Sequence, residues 1–244
     1  MVSPEVLTAV RNGICAVGYI TVSHEIFNQD LTKPYFKVMG TGFLVRPDLA
    51  MTNRHVIQAV LDEQAEIGFP DLQRAIMFVH PTATHKWQVT ISSIPVMAYV
   101  TKEDVDVGFI HFPRPDSPDL APIQPLHVVP SLALRVSQSL ALCGYPYGTA
   151  MMVKEKKVYR WGPVVQQGFL SAISPYDNSD APTELLLDVR IAGGMSGAPV
   201  ILPDTGEVVG IVHSSWESIT AVALPIDAPR LKLMLDQFDE SRPA

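Results

Sequence analysis

The chain has 244 residues, 47% hydrophobic and 18% charged, which is the balance of a globular protein and not of a disordered one. A formal charge of −7, with no Lys/Arg stripe, argues against nucleic acid as the main partner. No apolar run approaches the about 18 residues of a membrane span, and Met1-Val2-Ser3-Pro4-Glu5 opens without the basic and apolar regions of a signal peptide.

In chain order, short apolar runs recur at 14–22, 42–46, 75–79, 88–92, 107–112, 139–143, 185–191, 198–202, 207–213 and 219–224. Their length, their β-branched content and the Pro, Gly, Asp and Asn between them predict strands. So many short strands predict an all-β barrel or sandwich and not βαβ units. Two helices are expected. One spans 55–66, after Thr52-Asn53. The other spans 228–239, with Asp227 as N-cap, Pro229 in the first turn, and Leu231, Met234, Leu235 and Phe238 on one apolar face. Residues 113–130 hold six prolines and read as an extended connector, since proline cannot donate to a ladder. The basic cluster Lys154, Lys156, Lys157 and Arg160 reads as a solvated hairpin. The two cysteines, Cys15 and Cys143, lie in apolar runs and read as buried free thiols. A secreted enzyme of this size would carry more paired cysteine, so a cytoplasmic protein is expected.

Three segments carry chemistry. Met51-Thr52-Asn53-Arg54-His55-Val56 places a histidine where a strand and turn give way to a helix. Asp106-Val107-Gly108-Phe109-Ile110 opens an apolar strand with an aspartate. Gly193-Gly194-Met195-Ser196-Gly197 sets a serine between glycines, directly before an apolar run. Taken singly, that serine segment is an ordinary turn. In company, the order His, Asp, Ser supplies what a serine nucleophile needs: a base within reach, and an acceptor that holds the base in one tautomer. Asp104 is the rival acid, but it lacks the small residue two positions on. His24, His80, His85, His111, His127 and His213 lack the turn context of His55. His80 and His85 lack further ligands for a metal, and no cofactor motif is present.

These residues resemble the trypsin/chymotrypsin-fold serine peptidases, and most closely the bacterial Do-like (high-temperature-requirement) group. The likeness covers about residues 14–235. It includes Gly40-Thr41-Gly42-Phe43 before the histidine, Leu142-Cys143-Gly144-Tyr145-Pro146-Tyr147-Gly148, Gly168-Phe169-Leu170-Ser171, Val209-Gly210-Ile211-Val212 and Leu224-Pro225-Ile226-Asp227. The resemblance implies two antiparallel six-stranded β-barrels with a C-terminal α-helix. It sets an N-terminal barrel at 1–112 carrying His55 and Asp106, a connector at 113–131, a C-terminal barrel at 132–226 carrying Ser196, and a helix and polar tail at 227–244. It implies Ser196 as nucleophile, His55 as general base and then acid, Asp106 as orienting group, and the N–H groups of Gly194 and Ser196 as oxyanion hole. A polypeptide is the implied substrate. A regulatory protein, or domains beyond the polar ending Asp239-Glu240-Ser241-Arg242-Pro243-Ala244, is compatible with it. The rival reading is a protease-like domain that no longer cleaves and binds extended segments by strand addition. An α/β-hydrolase fails on order, since there the serine comes first.

Two departures from the family pattern stand out. Met195 replaces the Asp or Asn that commonly precedes the serine, so the turn must be held by packing or ordered by substrate or a partner. Arg190 falls near the floor of the specificity pocket and His213 on its wall. Together they suggest a basic pocket for an acidic side chain; the bland alternative has Arg190 in solvent or paired with Asp188 or Glu184.

Overall fold

A computed structural model describes residues 2–81, 89–101, 104–114, 117–158, 162–217 and 220–241. His85, Arg160 and residues 242–244 lie outside the described residues. The first half runs α1 (Pro4–Asn12), β1 (Ile14–Ile20), α2 (His24–Gln29), β2 (Phe36–Arg46), β3 (Leu49–Thr52), α3 (Arg54–Ile67), β4 (Arg74–Pro81), β5 (Val89–Pro95), β6 (Ala98–Thr101) and β7 (Gly108–His111). The second runs β8 (Ser139–Gly144), α4 (Thr149–Met152), β9 (Val153–Lys154), β10 (Lys157–Val158), β11 (Val164–Ser174), β12 (Glu184–Leu187), β13 (Pro199–Ile201), β14 (Val208–Trp216), β15 (Thr220–Pro225) and α5 (Ala228–Ser241).

The C-terminal half forms a closed six-stranded barrel in the order β11-β12-β15-β14-β13-β8. Its interior is apolar: Leu140, Leu142, Leu170, Leu185, Leu187, Val200 and Val212 are all buried. The N-terminal half differs from expectation. It is a seven-stranded sheet in the order β5-β4-β1-β2-β3-β7-β6, and among the described residues it is not a second closed barrel. Pro95 ends β5, and the next two residues bond to both flanks of the sheet, Val96 N–H donating to Arg74 O at 2.9 Å and Met97 N–H to His111 O at 2.9 Å. β5 and β6 stand at the two ends of the strand order, and this short crossing curls the sheet so that those ends meet, without a ladder between β5 and β6 among the described residues. Two strands of the sheet lie outside the predicted runs: β3, four residues long and buried throughout, and β6.

The predicted helices form as α3 and α5, and Asp227 caps α5 as expected, its Oδ1 accepting from Arg230 N–H at 2.9 Å. Three short helices were not expected. For α1 the signal was present: Ser3 accepts from Val6 N–H at 3.2 Å and Pro4 stands in the first turn. The run at 185–191 is strand only to Leu187; Val189 and Ile191 are buried as loop residues. The proline-rich connector is tied down. Arg114 Nη2 donates to Leu120 O at 2.8 Å and to Ile123 O at 2.6 Å. Val128 then bridges in parallel to Val208 of the barrel. One buried cluster draws on both halves, from Phe43 and Met51 to Ile201 and Ile211, and it sets the two sheets against each other. Among the described residues no helix is long and apolar enough to cross a membrane.

Candidate active site

The histidine stands at the N-terminus of α3. Asn53 occupies the N-cap position, yet its side chain makes no cap bond. Its Nδ2 donates instead to Asp106 O at 2.8 Å, across 53 residues of sequence. The capping falls to Asp106 itself. Its Oδ1 accepts from His55 N–H at 3.1 Å and its Oδ2 from His55 Nδ1 at 2.7 Å. One carboxylate thus satisfies an orphan donor of the first turn and fixes the imidazole, with its charge at the positive end of the helix. An ionised carboxylate only accepts, so Nδ1 carries the proton and Nε2 is left as the basic atom. Partial burial tends to raise the Asp106 carboxyl. The hydrogen bonds from the His55 ring and backbone, with the charges of His55 and His213, outweigh this and hold it below the usual aspartate range. The small residue that favoured Asp106 over Asp104 has a packing reason: a Cβ on Gly108 would stand 2.5 Å from Ile57 Cδ1 of α3. Asp104 is exposed.

The serine lies in two consecutive turns. Met195 N–H donates to Ala192 O at 3.1 Å, closing a turn with Gly194 third at φ +95°. Ala198 N–H donates to Met195 O at 2.9 Å, closing a second turn with Gly197 third at φ +85°. Both have the positive φ of a type II turn, which favours glycine at that position. At Gly194 space gives the same answer, since a Cβ there would sit 2.2 Å from Tyr145 O. Ser196 is half-buried. Among the described residues, the N–H groups of Gly194 and Ser196 donate to no protein acceptor, and the Ser196 hydroxyl makes no hydrogen bond with His55.

Packing and one threonine hold this turn. Met195 is fully buried in the barrel core, where an acid would have no solvent. Thr41 Oγ1 donates to Gly194 O at 2.7 Å and accepts from Tyr145 N–H at 3.0 Å. Thr41 N–H donates to Ser196 O at 2.9 Å, and Thr41 O accepts from Thr52 Oγ1 at 2.6 Å. β2 of one sheet thereby grips the serine turn of the other. Thr41 was not singled out in the sequence; the only signal was its place in Gly40-Thr41-Gly42.

The two candidate pocket residues part company. Arg190 is exposed, its carbonyl accepts from Gln166 Nε2 at 3.0 Å, and among the described residues its guanidinium has no ion pair. Neither suggested partner engages it: Asp188 accepts from Phe169 N–H, and Glu184 faces His213. His213 is half-buried with Nε2 3.9 Å from Glu184 Oε1. Partial burial lowers the His213 imidazole below its usual range; Asp106 and Glu184 act to raise it, and His55 to lower it. The lowering favours the neutral ring. The other described histidines have partners away from the site: His24 with Leu72 O, His80 with Pro81 O and Ser92 Oγ, His111 with Asp48, and His127 with Glu207. Among the described residues no cluster of three His, Cys, Asp or Glu has metal-site geometry.

The profile of a trypsin-like peptidase domain matches residues 40–211, a span that holds all three catalytic candidates. No curated protein sequence matches the chain. Among solved structures, the chain is similar to the active form of the Rv3671c protease from M. tuberculosis, at 16% identity over 100% of this chain and 90% of that one, TM-score 0.59. It is similar to Deg5 at 16% identity over 95% and 90%, TM-score 0.58. It is also similar to the serine endoprotease from Yersinia pestis, at 18% identity over 99% and 70%, TM-score 0.59.

Proposed function

The chain belongs to the trypsin-like peptidase domain family, and from that membership we propose that it is a serine endopeptidase working through His55, Asp106 and Ser196. The observation that carries the proposal is the Asp106 carboxylate, bonded at once to the backbone and the ring of His55. Ser196 Oγ attacks the scissile carbonyl carbon as its proton passes to His55 Nε2. The carbonyl oxygen takes the negative charge, and the N–H groups of Gly194 and Ser196 donate to it. Asp106 stabilises the imidazolium. Collapse breaks the C–N bond, and His55 returns the proton to the leaving amine. Water then attacks the acyl-enzyme ester, its proton passing to His55, and the acid product leaves as Ser196 regains its hydrogen.

Arg190 is exposed, as the solvent-facing alternative has it, so a preference for an acidic side chain before the cleaved bond requires its guanidinium to turn from solvent onto the substrate carboxylate. Peptides differing only at that residue decide it, and preference for Val, Leu or Ala over Asp and Glu refutes it. Two buried unpaired thiols, Cys15 and Cys143, support a reducing, cytoplasmic location.

A fluorophosphonate probe tests the main reading. The wild-type protein labels, and Ser196→Ala does not. Turnover of a proteome-derived peptide library falls on the order of 10⁶-fold in Ser196→Ala. No labelling of the wild type under any condition supports the silent, partner-dependent peptide-binding reading instead.

A further inference from the structure

The basic hairpin is built against its own stability. β9 and β10 are two residues each and meet through the two-residue turn Glu155-Lys156. Both turn residues have positive φ, 52° and 63°. That is the geometry of a type I′ turn, which favours Asn and Gly at those positions. Glu and Lys there are strained by their Cβ atoms. Lys154 and Lys157 stand directly opposite each other across the pair, and like charges so placed repel. Lys154, Lys156 and Lys157 are exposed, and among the described residues none of them has an ion pair. A merely solvated hairpin needs neither the strained turn nor the repelling pair. Local conflict of this kind marks positions held for function.

The hairpin is also fixed close to the serine turn. The chain enters it from Gly148 through α4, and Gly148 lies against that turn: a Cβ on Gly194 would stand 2.8 Å from Gly148 N. Thr149 Oγ1 accepts from Val38 N–H at 2.9 Å, and Val158 N–H donates to Thr32 O at 2.7 Å. Val153 and Val158, at the base of the hairpin, pack on the core shared by the two halves. Lys154 is six residues on from Gly148, part of them helical, so it lies within about 20 Å of it. An extended peptide covers that distance in about six residues. The chain as a whole carries a formal charge of −7, so it repels acidic polypeptide except at a patch of this sign. Nucleic acid and anionic membranes call for a broad basic face, and the sequence has no Lys/Arg stripe to supply one.

We propose that the hairpin is an exosite: Lys154, Lys156 and Lys157 hold an acidic stretch of the substrate polypeptide, within about six residues of the bond that Ser196 cleaves. The proposal rests on the endopeptidase reading for the cleavage. Its binding half is measurable without turnover.

The experiment has two arms on the full chain. In the first, fluorescence anisotropy follows binding of a labelled peptide with a run of Glu, and of its Gln counterpart, to the Ser196→Ala protein. At about 50 mM salt the Glu peptide binds about tenfold more tightly, the scale of three solvated ion pairs, and the advantage is lost by about 0.5 M salt. Adding Lys154→Gln, Lys156→Gln and Lys157→Gln abolishes it. The triple variant melts no lower than its parent, because it loses a repulsion, so lost binding is not lost fold. In the second arm, a peptide that the wild type cleaves is extended by the same runs. The Glu run lowers KM by a similar factor with little change in kcat, as binding away from the reacting bond gives, and in the triple variant the two extensions are equal. Equal binding of the two peptides by the Ser196→Ala protein overturns the proposal, and so does an advantage that survives the three substitutions. A triple variant that melts well below its parent overturns it by making the lysines structural. Tighter binding of single-stranded DNA or of anionic lipid vesicles than of the Glu peptide overturns it by giving the hairpin another partner. No turnover and no probe labelling by the wild type removes the endopeptidase reading, while the first arm still decides what the hairpin binds.

Discussion

Asp106 does three things with one carboxylate. It closes the first turn of α3, sets the tautomer of His55, and supplies the anion that an imidazolium needs. The first of these is structural, so Asp106→Asn acts on stability as well as turnover. Its folded carboxyl is held below the ordinary value, so its stabilisation is present above the unfolded pKa and is lost as pH falls through the lower, folded one. Asp106→Asn is therefore expected to melt below wild type at pH 7. The gap is smaller at pH of about 3, below the ordinary aspartate value, and goes on closing as pH falls through the lower, folded one. Thermal melts of the two proteins at both pH values check this, and a gap undiminished in acid refutes it. Turnover at pH 7 falls by about four orders of magnitude, as loss of the correct tautomer gives in related triads.

At the scale of elements, the serine turn is held by apolar packing and by Thr41, with methionine where the resemblance leads one to expect Asp or Asn. Met195 is wholly buried against the barrel core. Met195→Asp would restore the common residue type without a cation to meet it. The expected result is a loss of several kcal/mol of stability, because a carboxylate buried without a partner cannot recover its hydration. A denaturant midpoint unchanged from wild type would show that a hidden cation is within reach. The start of α3 follows the same logic of exchange. Asn53 gives up its cap role to hold Asp106, and Asp106 takes over the cap. The residue types were visible in the sequence as Asn53, His55 and Asp106. The swap was not, because a local capping rule assigns each cap to its own helix. α1 was missed for a different reason: Ser3-Pro4 is a sound start signal, but a nine-residue helix offers little periodicity to weigh.

Over the whole molecule, α5 docks on the N-terminal sheet through β7 and β2. Phe238 is buried, its ring 5.4 Å from that of Phe109 on β7. Arg46 of β2 grips Asp239 through two hydrogen bonds of 2.9 Å. The two contacts differ in kind. Phe238→Ala leaves a cavity and is expected to cost about 3–5 kcal/mol. The Arg46–Asp239 pair is largely solvated, with side-chain exposures of 35% and 47%, so Arg46→Ala should cost no more than about 1 kcal/mol. Urea unfolding of both variants separates them, and equal losses would mean that the ion pair, not the aromatic contact, anchors the helix.

The sequence by itself determined the local chemistry. Glycine around a serine, an aspartate two residues before a glycine, and a histidine at a strand-to-helix junction are each set by turn geometry within a few residues. Their order along the chain, together with the motifs that resemble the trypsin-like peptidases, singled out His55, Asp106 and Ser196 as candidates. The tertiary structure decided what joins distant segments. Thr41 meets Gly194 across 153 residues, Arg46 meets Asp239 across 193, and the N-terminal sheet has seven strands in the order β5-β4-β1-β2-β3-β7-β6. Nothing in the local pattern around Thr41 or Glu184 reports such a partner. A hydrogen bond or a charge contact depends on where two backbones come to rest, and that is settled by the packing of the two sheets against one shared core.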